Sequence, residues 1–514
     1  MAAPFVFDHR IEFLPQNSDD LLRSIPAAPG VFALRGADPN AEPYLTRAAD
    51  LRRRLRRLLA PPEALDPDGQ PVLSKRLNLR SRVRFIDYTR TGSDFESSLV
   101  LYRAATTAFG PEEARRRLRL YPPYFLRVTI SHPHPRVYAT NRLSKRSLAE
   151  SFGPFPSRAA AERTCDAVLD LFLLRRCYED LAPYPDHPGC VYGEMHKCMQ
   201  PCKEGNPEAC TPDKYAHESQ RVFAFFRTRG QSLLDEVAAQ REAASEAMDF
   251  EAAAALHKHW EKVRAASLLV DEIVWPVEAL RAVIVQEAAP RDDEPRTEDA
   301  AVFLLEHGNL CGPERLSTLG VRTVREQTAV GSSLFAQPLM LAPIPLDEPT
   351  NNSVILSEGA GQHPAPQPKD PEAASLAPTA DTISTTTPEA RAQTVLANLT
   401  AQTQTTSDLA ELCDTLSLFR RWYYRPEKQR TGEVFLPNPD ATWPIRRILN
   451  GAARVVLGPP TPAPAVEREA AREAAKALKT KIIHPGREGV EREVPILPKR
   501  TRSRRAITPA DLTE

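Results

Sequence analysis

The sequence predicts a multidomain α+β protein, and three observations carry that expectation. The 514 residues leave room for about three or four domains of the usual size. Short β-prone runs and amphipathic helices follow one another up to about residue 345, after which the chain turns rich in Pro, Ser, Thr and Ala. Four cysteines are gathered in the stretch "CYEDLAPYPDHPGCVYGEMHKCMQPC", residues 177–202. The organisation expected is a small α/β domain over 1–120, a cysteine-rich metal-cluster domain over 121–215, a helical hairpin over 216–268 and a small β-rich domain over 269–345. A disordered linker over 346–390, a helical segment over 391–457 and a mostly disordered tail over 458–514 complete it.

Taken in order, Val31–Leu34 and Pro43–Leu45 flank a Gly/Asp/Pro/Asn turn and read as a hairpin. Leu51, Leu55, Leu58 and Leu59 then recur at helical spacing with arginines on the opposite face. "SRVRFIDYT" reads as a strand, and "SDFESSLVLYRAATTAF" as a helix opened by a Ser/Asp cap. "YFLRVTI" and "RVYAT" are further strands, followed by a helix over "RAAAERTCDAVLDLFLLRRC", residues 158–177. Residues 216–268 read as two helices broken near Gly230. "LRAVIVQEA", "DAAVFLLEHGNLCG" and "RLSTLGV" alternate with turns as strands. Residues 346–390 have too few large apolar side chains to hold a core. A helix resumes at 391–425 and ends in the aromatic cluster "FRRWYYRP".

Net charge is zero, but residues 1–150 carry 25 Lys/Arg against 16 Asp/Glu, an excess of nine positive charges. Such a basic front end points to a polyanion, most often nucleic acid, or to a solvated arginine-rich helix face. Arg52, Arg53, Arg56 and Arg57, with Arg47 nearby, are the expected DNA-binding residues. "MAAPFVFDHRIEF" lacks a basic region followed by an apolar run, and nowhere do 18 apolar residues follow one another. No signal peptide, membrane span or membrane partner is expected, and the location expected is cytoplasmic. Thiols stay reduced there, so clustered cysteines suggest a metal before a disulfide.

Cys177, Cys190, Cys198 and Cys202 are separated by twelve, seven and three residues. Four soft thiolates suit either tetrahedral zinc or a [4Fe–4S] cube. Structural zinc sites favour two short knuckles, whereas here only the last pair is close, which leans towards a cluster. Cys165 reads as a core residue of its helix, and Cys210, Cys311 and Cys413 as small buried hydrophobes.

"SFGPFPSRAAAERTCDAVLDLFLLRRC" followed by "CVYGEMHKCMQPC" resembles the UvrC family, the nuclease subunit of bacterial nucleotide excision repair. The resemblance implies a [4Fe–4S] cluster on Cys177, Cys190, Cys198 and Cys202, with zinc as the alternative. "AMDFEAAAALHKHW" is similar to the family's UVR motif, with Phe250, Ala253, Ala254 and Leu256 on matching positions. That likeness implies docking to the equivalent hairpin of a UvrB-type helicase subunit.

The front domain in turn resembles the family's GIY-YIG nuclease domain, whose metal-bound water hydrolyses a phosphodiester. The chemistry needs a carboxylate for the metal, tyrosines near the water and an arginine for the phosphorane charge. Tyr44 and Arg54 match the catalytic pattern, while Phe32 stands for the first Tyr, and Thr46 and Arg47 for the Gly-Lys pair. The metal-binding Glu aligns with Leu101, and Glu96, five residues earlier, is turned away by about 140°. A leucine cannot hold Mg²⁺, so that ion is expected only if the site is active, and Tyr44 and Arg54 are expected to be inactive remnants. The family's RNase H-like nuclease and helix-hairpin-helix motifs find no match, and the resemblance spans about 20–345. It implies a repair component that binds DNA and a UvrB-type partner with lost or weakened nuclease activity. The alternatives are an active metal-dependent excision endonuclease and a non-catalytic UVR-hairpin protein outside repair.

Overall fold

The leucine spacing of the front segment closes a small core. In the computed structural model, residues 4–61, 77–205, 210–291, 298–321, 387–403, 408–458, 483–485 and 491–493 are described. The front elements are β1 (His9–Glu12), α1 (Ser18–Ser24), β2 (Gly30–Arg35), β3 (Tyr44–Ala48), α2 (Leu51–Leu59), β4 (Phe85–Arg90), α3 (Asp94–Phe109) and α4 (Pro111–Arg117). The strands form an antiparallel sheet in the order β1-β4-β2-β3. Asp50 starts α2 by accepting from the Arg53 amide, and Ser93 starts α3 by accepting from the Glu96 amide. Leu51, Leu55, Leu58 and Leu59 then pack on Phe13, Ile25 and Phe32. β1, α1 and α4 go beyond the elements expected.

The middle of the chain holds β5 (Tyr124–Val128), β6 (Val137–Thr140), β7 (Ser151–Phe155), α5 (Arg158–Leu169), the single turn α6 (Val191–Glu194), α7 (Pro212–Arg227), α8 (Gln231–Glu246), α9 (Phe250–Ser267) and β8 (Trp275–Pro276). Two expectations are corrected here. The helix expected to reach 177 ends at Leu169, because Phe172 and Leu174 are buried while Leu173 is exposed, the period of an extended segment. The stretch expected as two helices contains three. Its second break falls at Met248, whose φ is +60°, and Asp249 restarts the chain by capping α9. A short turn makes α8 and α9 an antiparallel hairpin. Residues Tyr215, Phe225 and Phe226 of α7, Val237 of α8 and Val263 of α9 share one core with Leu126, Phe152 and Val168. The expected boundary at 215/216 is therefore not a structural division.

The third sheet contains β9 (Arg281–Glu287), β10 (Asp299–Glu306) and β11 (Asn309–Ser317), and is accompanied by α10 (Pro388–Gln402), α11 (Leu409–Tyr423), β12 (Glu433–Phe435) and α12 (Ile445–Leu457). Its order is β11-β10-β9-β12, antiparallel throughout. The segment expected to be helical at 391–457 thus also supplies an edge strand and covers both faces. Val283, Val285, Val302 and Leu304 face Leu396, Leu399 and Ile448 of α10 and α12. Ile284, Phe303 and Leu305 face Phe95 and Leu99 of α3 together with Leu416 and Phe419 of α11. Burial on two sides explains why β9 and β10 read as nearly unbroken apolar runs.

The chain up to Gly458 forms one compact unit, and the rest a second. In the second, β13 (Ile483–Pro485) pairs antiparallel with β14 (Glu491–Glu493) inside the expected tail. The expected linker lies outside the described residues as far as 386.

Glu96 sits where α3 meets the third sheet, 6% exposed, with its Oε2 accepting the Gly92 amide at 2.7 Å. Burial pushes its carboxyl up to about 7, against the lowering pull of the Gly92 N–H, Arg315 and Arg103. A raised carboxyl favours folding below the unfolded value near 4.5 and loses that contribution as pH rises through about 7. Glu96→Gln should therefore stabilise the chain at pH 8, by up to about 3 kcal/mol, and leave it nearly unchanged at pH 4.5. Denaturant unfolding of both proteins across this range checks it, and parallel pH profiles would refute it.

Candidate metal centre and nucleic-acid interface

The cysteine loop is pinned at its start by an extended strap. The Leu173 amide donates to Glu218 Oε1 at 2.8 Å, and the Leu173 carbonyl accepts from the Met199 amide at 3.0 Å. Arg175, 3% exposed, bridges to Arg136 and donates to the carbonyls of His134 at 3.0 Å and Glu179 at 2.8 Å. Its amide meets the Tyr215 hydroxyl at 3.1 Å, which itself donates to the Pro135 carbonyl at 2.8 Å. Beyond the strap, Cys190 precedes α6, and His196 and Gln200 take the left-handed conformation. That turn aims the Gln200 amide at Cys198 Sγ, 3.3 Å away. The Tyr184 amide closes the loop by donating to the Cys202 carbonyl at 3.1 Å.

All eight cysteines are free thiols. Cys198 and Cys202 are buried, and Cys177 and Cys190 half-buried. Burial pushes the Cys198 thiol up to about 12, and the nearby sulfurs of Cys190, Cys177 and Cys202 push in the same direction. The structure thus brings the quartet within mutual electrostatic reach. Four such groups ionise together only if a cation offsets their charge, since the thiolate is the metal-binding form. Among the described residues no group of three or more His, Cys, Asp or Glu side chains is drawn together as a metal-holding set. Zinc would need all four sulfurs about 2.3 Å from one point, whereas a [4Fe–4S] cube spreads its thiolates over four irons. The four soft donors fit either group, with the Gln200 amide and the Arg175 guanidinium (3.8 Å from Cys177 Sγ) as N–H donors to sulfur. Cys165 lies in the core as expected, with its Sγ 3.7 Å from the Val137 carbonyl. Cys413 is buried too, but Cys210 and Cys311 are only half-buried. Arg136, Arg175 and Tyr215 were not singled out from the sequence. The available signal was an arginine two residues before a candidate ligand.

In the front domain, Tyr44 and Arg54 come together across β3 and α2, with Arg54 Nη2 3.4 Å from the Tyr44 hydroxyl. Phe32 is buried opposite Thr46, its ring 6.4 Å from that of Tyr44. Leu101 is half-buried on α3. Glu96 is held at the third sheet, and Asp94 is taken by Arg47 and by Arg425 at 2.5 Å. These donors do not fit Mg²⁺, which requires free oxygen ligands.

The five arginines expected to bind DNA divide. Arg47 donates to Asp94 and to Ser98 Oγ, and Arg52 Nε donates to the Ile25 carbonyl at 2.6 Å. Arg53, Arg56 and Arg57 are exposed and have no ion-pair partner among the described residues. At the far end of the α8–α9 hairpin, Phe250 is 70% exposed and Ala254 exposed, while Ala253 and Leu256 are half-buried. Among the described residues no helix is long and apolar enough to cross a membrane.

A helical hairpin and a four-thiol loop on a small sheet make up a cysteine-rich domain joined to a basic α/β domain. Residues 123–225 match the family of the UvrC/Cho excinuclease middle domain. UvrABC system protein C of Aliivibrio salmonicida is 27% identical over 49% of this chain and 38% of its own length. The protein of the same name from Desulforudis audaxviator is 26% identical over 64% of this chain and 51% of its own. That of Nitratidesulfovibrio vulgaris is 33% identical over 28% and 20%. The likeness to UvrC proteins is divergent and centred on the middle of the chain, which spans about half or less of the length of these relatives. No solved structure matches it.

Reversing Arg53, Arg56 and Arg57 to Glu should weaken duplex DNA binding at least about tenfold at 0.1 M salt. Every arginine withdrawn from a phosphate should flatten the salt dependence by about 0.9 log unit per log unit of salt. Fluorescence anisotropy against salt measures both, and an unchanged affinity would make this face merely solvated.

Proposed function

We propose that this chain is a component of nucleotide excision repair that binds DNA and a UvrB-type helicase subunit but has lost incision by its front domain. The observation that carries the reading is the four-thiol loop, inside the segment that matches the excinuclease middle domain. In this reading Cys177, Cys190, Cys198 and Cys202 hold a [4Fe–4S] cluster, which closes a loop with few apolar residues of its own. Arg53, Arg56 and Arg57 meet phosphates without reading sequence. The α8–α9 tip, where Met248 is 76% and Phe250 70% exposed, supplies an apolar anchor for a partner hairpin.

The loss of incision rests on Leu101. A metal carboxylate sustains both the Lewis acid and the nucleophile of metal-assisted hydrolysis, so its loss removes most of the rate. Tyr44 and Arg54 are then remnants that position each other without a metal to serve.

One reconstitution tests the reading. The chain should bind a UvrB-type subunit in analytical ultracentrifugation, and Phe250→Ala should weaken that complex roughly thirtyfold, as a buried anchor does. The assembled complex should leave damaged duplex uncut in Mg²⁺ or Mn²⁺. Cleavage lost on chelation and on Arg54→Ala would instead make this chain an active endonuclease. A UvrB-type subunit that never binds would place the hairpin outside repair.

A further inference from the structure

A surface stack beside the cysteine loop serves none of the roles assigned so far. Its inner ring, Tyr138, lies on the edge strand β6 and is half-buried, with its hydroxyl 3.4 Å from Arg127 Nη1. Arg136 places its guanidinium carbon 4.9 Å from the centre of that ring and 5.2 Å from the centre of Tyr178. The guanidinium thus lies close to both rings, as cation–π attraction favours. It is also held in place. Arg136 Nη1 donates to the Cys177 carbonyl at 3.3 Å, and the Arg136 amide donates to Thr129 Oγ1 at 2.9 Å.

The outer ring lacks a comparable cover. Tyr178 is 74% exposed, more than Phe250 on the hairpin tip. An aromatic side chain gains most from burial and stacking, so a ring held by a cation and left open to water is a stack short of one planar layer. The surrounding charge indicates what that layer is. Arg136 is the guanidinium that lies open at this edge, since Arg127 also pairs with Glu150 at 3.7 Å and Arg175 is 3% exposed. Glu179 and Asp180 follow Tyr178 directly and are exposed, which disfavours a long run of phosphates here. A single base stacked on the ring, with its own phosphate near Arg136, satisfies both conditions.

We propose that Tyr178 is a stacking platform for an unpaired nucleobase, the open layer of a Tyr138–Arg136–Tyr178 stack. The proposal rests on the DNA-binding reading above and adds a second contact, selective for unpaired over paired strands. Aromatic platforms of this kind accept any base, because every base offers a π face.

The test uses the full chain, purified anaerobically, with fluorescein-labelled oligothymidylate and a fully paired duplex of equal length at one salt concentration. Tyr178→Ala should lose roughly five- to 150-fold in affinity for the single strand and less than about twofold for the duplex. Circular dichroism and metal content should match the parent, since the side chain is exposed. Tyr178→Trp should keep the affinity, and the introduced indole should lose emission as oligothymidylate is added. Parent-like single-strand binding by Tyr178→Ala, or an indole indifferent to the oligonucleotide, overturns the platform while leaving the arginine face standing. If the parent binds neither nucleic acid, the DNA-binding reading falls and the platform with it.

Discussion

The buried carboxylate of Asp414 is the tie on which the main unit depends. It is 2% exposed on α11 and accepts from Arg115 Nε at 2.9 Å and from the Tyr102 hydroxyl at 3.0 Å. A charge so enclosed is tolerable only with partners in place, and removing one leaves the other costly. The partners come from α3 and α4 of the front domain, some 300 residues away in sequence. The same helix ends in the aromatic cluster. Trp422 packs on Phe95 with ring centres 5.0 Å apart, Tyr423 donates to Asp271 at 2.8 Å, and Tyr424 donates to the Pro154 carbonyl at 3.0 Å. One helix thereby fixes the front domain, the cysteine-rich domain and the third sheet to one another.

That arrangement separates the working surfaces from the joints. Asp94 and Glu96, the acidic groups at the start of α3, are both spent on joints, one with Arg47 and Arg425 and the other beneath the third sheet. The tyrosine and arginine across β3 and α2 are left facing each other, 3.4 Å apart. Open candidate contact groups include three arginines on α2, the hairpin tip, and Tyr178 beside the thiols. Such surfaces suit the recognition of partners that the proposed function calls for.

Much of this could be read from local pattern. The leucines of α2, the β2–β3 hairpin and the strands β9 and β10 are where periodicity and turn chemistry place them. The four thiols were equally plain, because cysteine spacing is itself the signal. What stayed hidden depends on distant contacts. Residues 170–177 are an apolar run that suits helix or strand, and only the bonds to Glu218, Met199 and Tyr215 make them extended. Arg47 and Arg52 looked as free as their neighbours until Asp94 and the Ile25 carbonyl claimed them. The helices α10 to α12 gave no hint that they complete a sheet begun more than 100 residues earlier.

The central proposal is that an iron–sulfur cube organises the 177–202 loop. The most direct measurement is the absorption spectrum and metal content of the intact chain purified without oxygen. The account predicts a brown protein with about four irons per chain, bleached when Cys198 is replaced by Ser. A colourless protein with stoichiometric zinc and no iron would contradict it.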